Sequence, residues 1–83
     1  MPKRHFEPTA AIEYESTRNT IKAALIAAAE REMEKLAEVS PGARAKAQMP
    51  ARNYLLALAE IGCEKEADHL FDRLDALIES TAA

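Results

Sequence analysis

The sequence predicts a small all-α bundle, and three observations predict it. Between Pro8 and Pro41 lie 32 residues with no Gly or Pro, eight of them Ala, in a chain of 83. Ala, Leu, Glu, Lys and Arg are the strongest helix formers, so nothing inside that stretch interrupts a helix. Further on, Ala67, Leu70, Phe71, Leu74, Leu77 and Ile78 recur at i, i+3, i+4 and i+7, the spacing of one buried helical face. No strand alternation and no Asn-Gly or Asp-Gly hairpin signal occurs.

Residues 1–8 read as a tail, with basic Lys3 and Arg4 and with Phe6 placed to tuck against the bundle. A helix is expected from Pro8 or Thr9, since Pro is tolerated in a first turn and Thr caps one. Ser16, Thr17, Asn19 and Thr20 form its weakest part, where it would bend or restart. The pattern firms from Ile21 to Val39 and stops at Ser40-Pro41-Gly42, because the residue before a proline avoids helical backbone and Gly follows a helix easily. Unbroken, this helix would be about 48 Å long, longer than a domain of this size is wide. Over 43–49 propensity favours helix, but Pro50 removes a hydrogen bond and crowds the turn before it, so a short helical turn or loop is expected there. A helix over 50–61 follows, with Gly62 as its stop, and then a last helix over 64–80. The expected organisation is a 1–8 tail, one helical domain over 9–80 and an 81–83 tail.

Around Gly62 the chain resembles half of a tetratricopeptide repeat. Gly62, Ala67 and Phe71 stand at the separations where that family carries Gly, Ala and an aromatic. Leu74 occupies a position where a small residue is expected, and the first-helix pattern is absent. The resemblance covers roughly 20 residues with no second copy, where such arrays need about three. It implies two packed antiparallel helices and no function.

Hydrophobic residues make up 48 % of the chain, but 18 of them are Ala, which adds little apolar area when buried. A chain this small buries only about 60 % of its unfolded surface and needs help from disulfides, a metal or oligomerisation. One Cys and two His leave no internal disulfide and point away from a closed zinc site, so a homodimer is expected. Its interface is read on the first helix, along Tyr14, Arg18, Ile21, Leu25, Ala28 and Glu32, continuing to Leu36 and Val39. Arg18 and Glu32 each stand seven residues from Leu25, so an antiparallel pair crossing at Leu25 would join Arg18 of one copy to Glu32 of the other. A buried ion pair adds little net stability but fixes register. The alternative is that both charges lie at the edge of an intramolecular bundle with their heads in water.

The longest apolar run is six residues, 24–29, far short of the ~20 that span a bilayer, and the N-terminus lacks the apolar stretch of a signal peptide. A soluble cytoplasmic protein with no membrane association is expected, with Cys63 a small buried hydrophobe.

Net charge is −3 but unevenly placed. Residues 41–59 carry Arg44, Lys46 and Arg52 with no acid, whereas 61–83 carry six acids against Lys65 and Arg73. Glu64, Asp68, Asp72, Asp75 and Glu79 fall on one ridge of the last helix, about 120° around from its apolar stripe. Carboxylates this close repel by about a few tenths of a kcal/mol per pair, so the ridge calls for a reason. One is solubility. The other is docking on a basic surface of another protein, since carboxylates ~6 Å apart mimic a phosphate backbone. Phage- and plasmid-borne inhibitors, anti-CRISPR and anti-restriction proteins among them, use that strategy; the parallel is one of strategy and not of sequence.

The runner-up is a nucleic-acid-associated protein using Arg44, Lys46 and Arg52, with Lys3 and Arg4. A helix-turn-helix over 55–74 fits poorly: Glu64, Glu66, Asp68 and Asp72 would meet phosphates, and Asp68 would fall at the apolar packing position. Glu66 and His69 have the Glu-x-x-His spacing of di-iron bundles, but His69 points about 140° from the apolar face, so no metal or cofactor is expected. With no nucleophile motif and no Gly-rich loop, the expected function is a non-enzymatic regulator or inhibitor that binds a protein with a basic surface.

Overall fold

Helix α1 (Glu7–Ala37) runs unbroken for 31 residues, about 46 Å at ~1.5 Å per residue. The polar patch over 16–20 does not interrupt it, and Thr20 returns its hydroxyl to the Ser16 carbonyl at 3.0 Å. The computed structural model describes the backbone of residues 7–80 and the side chains of 14–80. Lys3, Arg4 and Phe6 of the expected tail, and residues 81–83, lie outside the described residues. Helix begins at Glu7, so the last two residues of the expected tail are helical.

The end of α1 tightens into i to i−3 bonds, Glu38 N to Lys35 O and Val39 N to Leu36 O, as frayed helix ends do. Ser40 is extended at ψ 141° ahead of Pro41, which is the backbone a following proline imposes. A 3₁₀ turn (Pro41–Ala43) leads into the single turn of α2 (Arg44–Ala47). Helix α3 (Met49–Glu60) starts one residue on and holds Pro50 in its first turn, where the missing N–H costs nothing.

Gly62 then stops α3 through a Schellman closure: Cys63 N reaches Leu58 O and Gly62 N reaches Ala59 O, with Gly62 at φ 90°. Leu58 and Cys63, the apolar pair of that motif, are both buried. Helix α4 (Glu64–Glu79) follows at once and folds back on α3. This is the antiparallel pair that the tetratricopeptide resemblance implies.

Both α1 and α4 pack mainly on α3, and they meet each other much less. The core is Ala29, Met33 and Leu36 of α1, Ala51, Leu55 and Leu58 of α3, Cys63, and Ala67, Leu70 and Leu74 of α4. On α4 the expected stripe is the buried one: Ala67, Leu70 and Leu74 are inside, and Phe71, Leu77 and Ile78 are packed at the margin. On α1 the buried face shares Leu36 with the expected seam but is turned about 60° from the seam's centre, at ~100° per residue: it centres on Ala29 and Met33, with Leu25, Ile26 and, just past the helix, Val39 packed at its edge.

Upstream of Arg18 the side chains of 14–17 are all exposed, because α1 outruns the helices it packs on. The radius of gyration is 17.1 Å and the long dimension 64 Å, against about 12 Å for a rounded domain of this length. Among the described residues, no helix is long and apolar enough to cross a membrane.

Candidate functional site

The most distinctive surface is the outer side of α4. Burying Ala67, Leu70 and Leu74 against α3 leaves Glu64, Asp68, Asp72, Asp75 and Glu79 pointing to solvent, and all five are exposed. At ~100° per residue they fall within an arc of about 80°. The ion pairs among the described residues use other acids: Glu15 with Arg18, Glu30 with Arg73, Glu32 with Lys35 and Glu66 with Lys22. The ridge has no cationic partner among the described residues. Its carboxylates also do not converge: no group of three or more His, Cys, Asp or Glu among the described residues could hold a metal ion. They form a line about four turns long.

The helix dipole acts unevenly along that line. Glu64 and Glu66 in the first turn meet the positive end, which favours them. Asp75 and Glu79 lie toward the negative end, and no basic residue occupies the last turn of α4.

The compensating charge there comes from Arg44, and the sequence alone does not show it. Arg44 is 7 % exposed. Its Nε donates to Val39 O at 3.0 Å, Nη2 to Ala37 O at 2.9 Å and Nη1 to Leu77 O at 3.1 Å. One guanidinium therefore caps the C-terminal ends of both α1 and α4, where carbonyls lack intrahelical partners. The expected basic set of Arg44, Lys46 and Arg52 is accordingly not assembled as a surface. Arg44 is inside, Arg52 is half-buried with its guanidinium 5.3 Å over the Phe71 ring, and only Lys46 is exposed. The available sequence signal was an Arg just past a Pro-Gly helix stop, the position for a C-terminal cap.

The stripe read as a dimer interface is divided by the fold. Tyr14 and Ile21 are 67 % and 43 % exposed, whereas Leu25 and Ala28 are half-buried. Arg18 Nε donates to Ile61 O at 2.8 Å within the chain, and Glu32 accepts from Lys35 at 3.3 Å. Both charges of the expected intermolecular pair thus have partners in their own chain.

Glu66 accepts from Lys22 across α1 and α4 at 2.7 Å. That hydrogen bond, with the Lys22 charge behind it, holds the Glu66 carboxyl below its ordinary value and holds Lys22 above its own. His69 is exposed and lines, with Glu66, Ile26 and Leu70, an open pocket of about 450 Å³. Toward the C-terminal ends of α1 and α4, their loose contact leaves an open groove of about 700 Å³ lined by Glu30, Met33, Ala37, Arg73, Ala76 and Leu77. The Arg73–Glu30 pair lies across it at 3.4 Å.

Sequence reasoning also missed three large exposed side chains on α3, Met49 at 50 %, Leu56 at 48 % and Tyr54 at 37 %. The signal for Met49 and Leu56 was present: they stand seven residues apart, opposite the buried Ala51, Leu55 and Leu58.

No family model matches this chain. Comparison with curated proteins and with solved structures likewise gives no match.

Proposed function

We propose that this small helical domain is a non-enzymatic regulator or inhibitor that docks the outer face of α4 on a basic surface of another protein. One observation carries the reading: Glu64, Asp68, Asp72, Asp75 and Glu79 form a line of exposed carboxylates with no cationic partner among the described residues. Such a line is unfavourable for the free domain through mutual repulsion. A basic partner removes that cost on binding. The spacing of about one turn suits basic residues placed to hold phosphates, so the favoured target is a nucleic-acid-binding protein whose phosphate-contacting residues the ridge would engage.

The test is affinity capture from nuclease-treated lysate, run in parallel with a variant carrying Asp68→Asn, Asp72→Asn and Asp75→Asn. A basic protein held by the parent, lost by the variant and released by salt supports the reading. Identical retention by both makes the ridge a solubilising face.

A second copy is the proposed cover for the projecting part of α1, where Tyr14 and Ile21 are exposed beyond the core. Sedimentation velocity across a hundredfold concentration range reads that association directly.

A further inference from the structure

The acidic ridge does not stand alone on its side of the molecule. α4 turns its Glu66 and Arg73 flank toward α1, through Lys22 and Glu30. α3 turns its Ile61 end toward α1, through Arg18. The opposite flanks of α3 and α4 meet where Arg52 stacks on Phe71, and that side faces away from α1. Moving outward from Arg52 by about 40–60° on α3 gives Leu56 and Met49, and moving outward from Phe71 by about 40–60° on α4 gives Asp75 and Asp68. The two helices therefore share one outer face. Its middle is the Arg52–Phe71 stack with half-buried Ile78, one rim is Met49 and Leu56, and the other is the carboxylate line.

We infer that this face receives a basic amphipathic helix. The inference rests on the acidic-strip reading above and specifies the partner's chemistry. Met49 and Leu56 are seven residues apart on α3, about 10 Å along the axis, which matches the i, i+7 repeat on the apolar side of a helix laid parallel to it. Asp68, Asp72 and Asp75 lie alongside at i, i+4 and i+7, so Lys or Arg at the matching spacing on the partner's adjacent face meets one carboxylate per turn. The line from Glu64 to Glu79 spans about 22 Å, which sets the partner at roughly four turns. Charge complementarity selects a basic occupant, and the apolar rim distinguishes an amphipathic helix from an extended polycation.

The experiment is fluorescence anisotropy on the intact chain at about 0.15 M salt, with two labelled 18-residue peptides of identical composition. One carries Leu at i, i+4, i+7 and i+11 with Lys on the adjacent face; the other has the same residues distributed around the helix. The expected result is at least tenfold tighter binding of the segregated peptide, about the effect of burying one large apolar side chain. Leu56→Ser should remove that advantage, and Asp68→Asn with Asp72→Asn should weaken both peptides. Leu56 is exposed, so circular dichroism should show its variant folded like the parent; Met49→Ser supplies a second, independent reading of the same rim. Equal binding of the two peptides with a silent Leu56→Ser overturns the amphipathic-helix inference and leaves the acidic strip standing. Binding of neither peptide overturns both.

Discussion

At the scale of single residues, Arg44 shows how a buried charge is held without a carboxylate. Its three bonds go to backbone carbonyls at two helix ends, where the dipoles leave partial negative charge. Removing it strands those acceptors as well as the contacts it makes. Arg44→Met should cost about 2–4 kcal/mol in urea unfolding, and Arg44→Lys should recover only part of that, because one ammonium lacks the fork that reaches three carbonyls. Gly62 is constrained twice. Its φ of 90° suits no other residue well, and a Cβ there would sit 3.3 Å from Arg18 Nη2. Gly62→Ala should cost about 1–2 kcal/mol from backbone alone, and the cost should be smaller in an Arg18→Ala background, which relieves the crowding; a double-mutant cycle measures the difference. For the Lys22–Glu66 pair the pH window follows from the two directions. Glu66 is lowered from 4.5, so its contribution is present above that value and disappears as pH falls through the folded-state value. Lys22 is raised from 10.5, so its contribution is present below that value and disappears as pH rises through the folded-state value. The stability difference between parent and Glu66→Gln should therefore stay flat from about pH 5 to pH 10 and shrink at both ends, as read by thermal melts across pH.

At the scale of helices, α4 carries its stabilising and destabilising features on opposite faces. Its buried stripe was legible because Leu and Phe mark a face without ambiguity, and every residue of the expected stripe is buried or packed at the core's margin. α1 was harder to read because Ala occupies all its sides; a side chain that barely alters burial cannot say which way a helix faces. The seam through Leu25 and Ala28 thus competed with the neighbouring face through Ala29 and Met33, and the second is the one α3 covers. Helix ends were legible to within a residue or two because Pro41, Pro50 and Gly62 act locally. The roles of Arg18 and Arg44 were not, since each depends on carbonyls brought from 43 and 33 residues away. The ridge gives the prediction proper to this scale. Neutralising Asp68, Asp72 and Asp75 together should raise the melting temperature by about 2–5 °C, as like-charge repulsion is relieved. A lower melting temperature would mean that the carboxylates support the fold.

At the scale of the molecule, the bundle is shorter than its longest helix. Among the described residues the core reaches along α1 as far back as Leu25, and Arg18 is the farthest upstream to be anchored, on the Ile61 carbonyl just past α3. Short helical segments without tertiary support are marginal in water. Amides over 14–17 should therefore exchange with deuterium far faster than those over 29–36, the latter opening only with the whole domain. If a second copy covers the rod, the fast set should gain protection as protein concentration rises; unchanged rates would remove the dimer. Arg44 has a further consequence, for time rather than for structure. Two of its bonds reach back five and seven residues, and the third closes a loop of 33. The near bonds are available once the end of α1 exists, whereas the far one waits for α4 to arrive and dock, after most loop-closure entropy has been lost. A contact made that late does little for how quickly the chain folds and much for how long it stays folded, so this arginine acts as a latch on the lifetime of the native state.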